Sequence, residues 1–290
     1  MLIDKKQLKE LIPVIAAKHN FRPTIVEKDY YLTVILNSVE SLLTDKIVFK
    51  GGTLLNKVYL NYHRLSEDLD FTYQNTKKLI SRTQRSRAIE PIREKMPEFL
   101  RKLEITSPNP NGEGFNNSTQ YVFNLRYNSI VTSRDENIKL EISLRQLPLD
   151  EPVRCMIKHF FQDPFSGVDL IPKHSVWALS FREAAAEKLK AAIARKDVAI
   201  RDYYDIWHIA ETGFDFLEDK FIKIFKTKLA DDGYYKDFRC NFGLGMENIE
   251  LLTKQIHTDL MPVIHADEQF DLNKVFKKFN DVFACSKYDL

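Results

Sequence analysis

The rhythm of apolar and polar positions changes about halfway along the chain. Leu8, Leu11, Ile12, Ile15 and Ala16 recur at helical spacing. Beyond the break at Phe21-Arg22-Pro23, Tyr30, Tyr31, Val34, Ile35 and Val39 do the same, predicting two packing helices. KIVF (46–49) is a short β-type run, Gly51-Gly52 permits a tight turn, and TLLNKVYLNY is compatible with a helix. EDLDFTY (67–73) then alternates, with Asp68, Asp70 and Thr72 on one face and Leu69, Phe71 and Tyr73 on the other. Gln74 to about Glu104 reads as a charged, mainly helical stretch that Pro91 and Pro97 should kink or split. SPNPNGEGFNNS (107–118) is the clearest loop, and TQYVFNLRYNSI and NIKLEISLRQL on either side of VTSRDE form a strand pair, where the sheet is expected to end. From about residue 151 the pattern turns helical, through the alanine-rich WALSFREAAAEKLKAAIARK and then RDYYDIWHIAE. The expected organisation is an α/β region over 1–150 and a mainly helical one over 151–290.

Composition narrows the class. With 290 residues, of which 44% are hydrophobic, the chain can build one large or two ordinary domains. No apolar run approaches the roughly 20 residues of a membrane span, and MLIDKKQLKELIPVIAAKH carries charge where a signal peptide needs an apolar stretch, so a cytoplasmic location with no membrane partner is expected. Cys155, Cys240 and Cys285 are odd in number and widely spaced, which indicates neither a disulfide framework nor a zinc site. The seven histidines are scattered, and none is assigned to catalysis. A formal charge of +2 is too mild to define a nucleic-acid partner. Lys77, Lys78, Arg82, Arg85 and Arg87 nevertheless form a run without an acid, either a phosphate-tracking surface for RNA or a solvated helix face.

The candidate chemistry lies between residues 48 and 73, VFKGGTLLNKVYLNYHRLSEDLDFTY. Side chains alternate along a strand, so Asp68 and Asp70 point the same way with α-carbons about 6.5 to 7 Å apart. Two such carboxylates suit Mg2+ or Mn2+, and phosphoryl chemistry is the natural client of shared divalent cations. In strand 138–144 the apolar face takes Ile138, Leu140, Ile142 and Leu144, leaving Glu141 as a third ligand beside Lys139 and Ser143. Gly51, Gly52 and Thr53 complete the picture, since glycines let backbone N–H groups approach a phosphate and a helix starting there points its positive end at it. Each element also has a plain alternative. An Asp-x-Asp strand can be a solvated edge, Glu141 can pair with Lys139 or Arg145, and Arg201 with Asp205 can be an i, i+4 helix salt bridge.

FKGGTLLNKVYLNYHRLSEDLDF, with EKDYYLTVIL upstream and EKLKAAIARKDVAIRDYYDI downstream, resembles the nucleotidyltransferase toxins of the AbiEii/AbiGii type over roughly residues 25 to 210. The resemblance implies an α+β fold, with a polymerase-β-like nucleotidyltransferase core of mixed sheet flanked by helices and a helical C-terminal domain. It also implies magnesium dependence and a toxin role in a bacterial toxin–antitoxin or phage-defence system, with a cognate antitoxin as partner. On it, Gly51, Gly52, Thr53 and Ser66 bind the nucleotide, Asp68 and Asp70 hold metal, and Lys188 and Asp205 are the downstream functional pair, with Asp202 as neighbouring candidate. From the sequence itself, Lys188 is a long cation among small residues that could meet a triphosphate, and Arg195, seven residues on, faces the same way.

Three functions follow from these readings. One is an enzyme moving a nucleoside monophosphate from an NTP to an acceptor hydroxyl, with RNA as acceptor and the tRNA 3′ end suggested by the resemblance. The second uses the same carboxylates to nucleotidylate or phosphorylate a protein side chain. The third is a catalytically silent nucleotide- or RNA-binding module.

Overall fold

The computed structural model describes residues 2–74, 79–234 and 236–289. Two units make up the chain, Met1–Leu179 and Ser180–Leu290. In the first, helix α1 (Lys5–His19) is capped by the Asp4 carboxylate, and α2 (Pro23–Ser38) starts with proline at its first position, where the missing N–H would have had no helical partner anyway. Strand β1 (Ile47–Lys50) leads directly into α3 (Gly51–Leu54), which a π-helical turn over Leu55–Tyr59 continues. Strand β2 (Leu69–Tyr73) follows, then α4 (Arg82–Lys102), whose start is fixed by reciprocal hydrogen bonds between Ser81 and Gln84. Pro91 and Pro97 do not split α4. Both lie on its exposed side, where water can satisfy the carbonyls they leave without donors, while Ile89, Ile92, Met96 and Phe99 are buried.

Strands β3 (Glu113–Phe115), β4 (Gln120–Asn128) and β5 (Asp135–Ser143) are followed by β6 (Val153–Met156) and β7 (Ser175–Ala178). All seven join one mixed sheet in the order β3-β4-β5-β2-β1-β7-β6. The sheet therefore does not end near residue 144, and the first unit reaches Leu179 where the sequence pattern suggested a boundary at 150. Four-residue strands such as VRCM and SVWA are too short to show a period, and Trp177-Ala178 runs straight into the alanine-rich helix. Part of the 107–118 loop is likewise a strand, β3. The apolar positions of the expected strands do form the core, since Leu69, Phe71, Phe123, Leu125, Ile138, Leu140 and Ile142 are all buried.

The second unit is helical: α5 (Phe181–Ala194), α6 (Ile200–Glu211), α7 (Asp219–Asp231), α8 (Met246–Gln255) and α9 (Leu272–Phe283). Its core is aromatic, with Phe216, Phe221, Phe225, Phe238, Phe242, Phe279, Phe283 and Tyr288 in mutual edge and tilted contact. Among the described residues, no helix is long and apolar enough to cross a membrane.

Candidate active site

Strand pairing brings the acids together. β2 runs antiparallel to β1 and parallel to β5, so Asp70 sits opposite Lys50 on one side and opposite Glu141 on the other. Lys50, Asp70 and Glu141 thus form one row across three strands, on the face turned away from Leu69, Phe71, Leu140 and Ile142. Asp68 comes one residue before β2 begins, and its carbonyl accepts a hydrogen bond from the Thr53 hydroxyl. Thr53 thereby ties the glycine turn to the Asp-x-Asp segment.

Both glycines are required by what lies against them. Gly51 has φ +79°, in the left-handed region, and a Cβ there would collide with Oδ2 of Asp70. A Cβ on Gly52 would stand 2.6 Å from Nη2 of Arg64 and 3.4 Å from Oγ of Ser66. The turn therefore presents bare backbone to a carboxylate on one side and to a guanidinium and a hydroxyl on the other. Arg64 is only 3% exposed and donates to the Leu65 carbonyl at 3.0 Å. Sequence reasoning passed over it, although an arginine two residues before Ser66 in RLSEDLD was a visible signal.

Asp70 is electrostatically uneasy. Burial, reinforced by the charge of Glu141, pushes its pKa from 3.8 to about 6, while Lys50 and Lys139 pull the other way. Burial works against the charge of Lys139, but Asp70, Glu141 and Asp68 outweigh it and raise the ammonium above its ordinary range. Its Nζ lies 3.3 Å from Oε2 of Glu141, so the plain ion-pair reading of Glu141 is realised together with its place beside Asp70. An all-oxygen donor set carrying surplus negative charge fits a hard divalent cation. Among the described residues, no three His, Cys, Asp or Glu side chains are grouped so as to hold a metal on their own. A magnesium ion here would use one or two of these carboxylates and complete its shell with water and phosphate oxygens, its usual arrangement where phosphates are substrates.

A fully buried ion pair holds the glycine-bearing helix in place. Nζ of Lys57 lies 2.7 Å from Oδ1 of Asp29 on α2 and donates to Thr33 at 2.8 Å and Tyr62 at 3.0 Å, with Lys57 and Asp29 both at 0% exposure. Burial lowers the pKa of Lys57 and Asp29 opposes the shift. Neither residue was singled out from sequence, although Lys57 is a lone charge inside the apolar run LLNKVYL; Asp29 follows Glu27 and Lys28 in IVEKDYYL and carries no such signal.

Lys188 on α5 lies 2.9 Å from Asp202 and 3.0 Å from Asp205 on α6, and Arg195 takes the other oxygen of Asp202 at 2.9 Å. Lys188 and Asp205 are thus brought together, in an ion cluster internal to the second unit. The basic run is not one continuous surface. Arg82 and Arg87 are exposed, but the Arg85 guanidinium is spent on the carbonyls of Leu79, Ile80 and Asn117, clamping the loop before β4; Lys77 and Lys78 lie outside the described residues.

The fold of this chain, a mixed sheet in the first unit and helices in the second, is found in a solved nucleotidyltransferase toxin. MenT4, a nucleotidyltransferase toxin from Mycobacterium tuberculosis H37Rv, shares it at a TM-score of 0.53 with 15% identity, over 95% of this chain and 98% of that one. JHP933 from Helicobacter pylori aligns at a TM-score of 0.49 with 14% identity, over 91% and 92% of the two chains. No curated protein matches the sequence. The family model for the nucleotidyl transferase AbiEii toxin of type IV toxin–antitoxin systems matches residues 34–281, and the chain belongs to that family.

Proposed function

We propose that this toxin transfers a nucleoside monophosphate from an NTP to an RNA hydroxyl, the tRNA 3′ end being the favoured acceptor, with Mg2+ or Mn2+ held by one or two of the carboxylates of Asp68, Asp70 and Glu141 and by phosphate oxygens and water. The observation that carries the proposal is the register that sets Asp70 beside Glu141, with the glycine turn packed against the Asp70 carboxylate. The bound cation would offset the charge of the triphosphate and of the attacking oxygen. Gly51 and Gly52 offer backbone to the phosphates, Thr53 fixes the spacing between turn and carboxylates, and Arg64 and Ser66 line the far side of Gly52. RNA as acceptor is supported by the net basic composition of residues 1–179, against a net acidic remainder. The tRNA end rests on the family's toxin character. A cognate antitoxin and action in the cytoplasm, including phage defence, belong to the same proposal and rest on membership of a toxin–antitoxin family.

The test is incubation of the pure protein with each α-labelled NTP, magnesium, and total cellular RNA or protein extract. Metal-dependent label at RNA 3′ ends is the expected result. Label on polypeptide alone would reassign the acceptor to a protein side chain, and no label with any NTP would leave a binding module.

A further inference from the structure

The three carboxylates are not left to face one another. Glu141 and Lys139 are two residues apart on β5 and share a face, and the Lys139 side chain folds along the strand to place Nζ 3.3 Å from Oε2 of Glu141. The lysine is 41% exposed, so water was open to it. Parallel pairing matches Leu69 with Leu140 and Asp70 with Glu141. Asp68 lies just before the paired stretch of β2, and its charge acts on Lys139 together with those of Asp70 and Glu141. The face therefore carries a like-charged pair, Asp70 and Glu141, with the Lys139 ammonium held against the second of them. Lys50 flanks the pair from β1.

From this juxtaposition we infer that Lys139 is a built-in counter-cation of the carboxylate site, competing with the divalent ion for Glu141 and Asp68 and so weakening metal binding until a nucleotide's phosphates are present. Lys139 is a positioning residue in this scheme. An ammonium held at an oxygen of Glu141 stands where an incoming cation would need that oxygen, and two cations a few ångströms apart repel. Phosphate oxygens change the balance, because they add ligands for the ion and give the displaced ammonium an anion of its own. Such an arrangement keeps the acids neutralised in the resting protein and couples metal occupancy to substrate.

The inference rests on the proposed metal site, and the experiment separates the two. Mn2+ binding to the nucleotide-free protein is measured by calorimetry and by the decrease of the free-ion electron paramagnetic resonance signal, for wild type, Lys139→Met, Lys139→Arg and Asp70→Asn. Methionine keeps length and stem packing without charge. Lys139→Met should bind Mn2+ at least about tenfold more tightly than wild type, a conservative figure for removing a unit charge a few ångströms from a divalent ion. Lys139→Arg should remain as weak as wild type, and a non-hydrolysable NTP should narrow the gap between Lys139→Met and wild type. Equal or weaker Mn2+ binding by a folded Lys139→Met protein overturns the inference. If Asp70→Asn binds Mn2+ as well as wild type, the metal-site reading fails first and the inference with it.

Discussion

Asp70→Asn should make the metal-free protein more stable while removing its activity. The carboxyl is partly buried against Gly51 and beside Glu141, and its pKa is raised from 3.8 to about 6. A carboxyl whose folded pKa lies above its unfolded value holds its proton more tightly in the fold. Its stabilising contribution is therefore complete below about pH 4, declines as pH rises toward 6, and is gone above that. A displacement of this size corresponds to about 3 kcal/mol as an upper bound, which solvent access to a partly buried group trims to about 1 to 2 kcal/mol. Asparagine keeps the volume and carries no charge, so it escapes the penalty. In a chain of this length 1 kcal/mol moves the melting temperature by about 2 to 4 °C. The variant should melt a few degrees above wild type at pH 7.5, and the gap should close near pH 4. Magnesium or manganese should raise the wild-type melting temperature at pH 7.5 and leave the variant unmoved, since binding stabilises only the protein that binds. The assay is differential scanning fluorimetry across pH, with and without metal, alongside NTP turnover. A variant that melts at or below wild type at pH 7.5, or responds equally to metal, would refute this reasoning.

Three other outcomes are expected. Lys57→Met should lower stability by about 3 to 5 kcal/mol in denaturant titration, because it strands the buried Asp29 charge, and adding Asp29→Asn should recover much of that stability; no recovery in the double variant would mean that packing, and not charge, is what Lys57 contributes. Lys188→Ala removes a cation from both Asp202 and Asp205, so it should cost about 2 to 4 kcal/mol in melting. Turnover per folded molecule should also fall by about a hundredfold if the pair is functional, and normal specific activity would make the cluster purely structural. Replacing Arg82 and Arg87 with glutamine, leaving Arg85 to hold its loop, should flatten the salt dependence of RNA binding by up to about 0.9 in log–log slope for each phosphate no longer neutralised; an unchanged slope assigns both to a solvated helix face.

Much of the fold was legible because local rules reach it. Alternation located β2, β4 and β5, and the helices α1, α2, α5 and α6 follow from apolar spacing and alanine content. Strands β6 and β7 were not legible. Their pairing is set by the neighbouring β1, and four residues carry no period of their own. Arg85 was readable only as a charge, because its clamp depends on where the chain before β4 returns. The persistence of α4 through two prolines also depends on context, since a propensity says nothing about which side of the helix meets water.

The carboxylate site shows the same division. Sequence alternation correctly gave Asp70 and Glu141 polar faces, but whether those faces coincide is a question of register between strands about seventy positions apart. A slip of one residue would have placed Glu141 among the apolar side chains. Leu69, Phe71, Leu140 and Ile142, all buried, exclude that slip, so the apolar residues of β2 and β5 align the acids although none of them touches a substrate. Burial of this kind accounts for two acids being tolerated side by side, because the packing energy of the apolar face offsets the repulsion on the polar one. Lys50 and Lys139 reduce what remains, and they are set in place by that same register. Exchanging apolar residues on β2 or β5 for ones of different volume should therefore alter metal affinity before it unfolds the protein, since the distance between Asp70 and Glu141 is a property of the core beneath them.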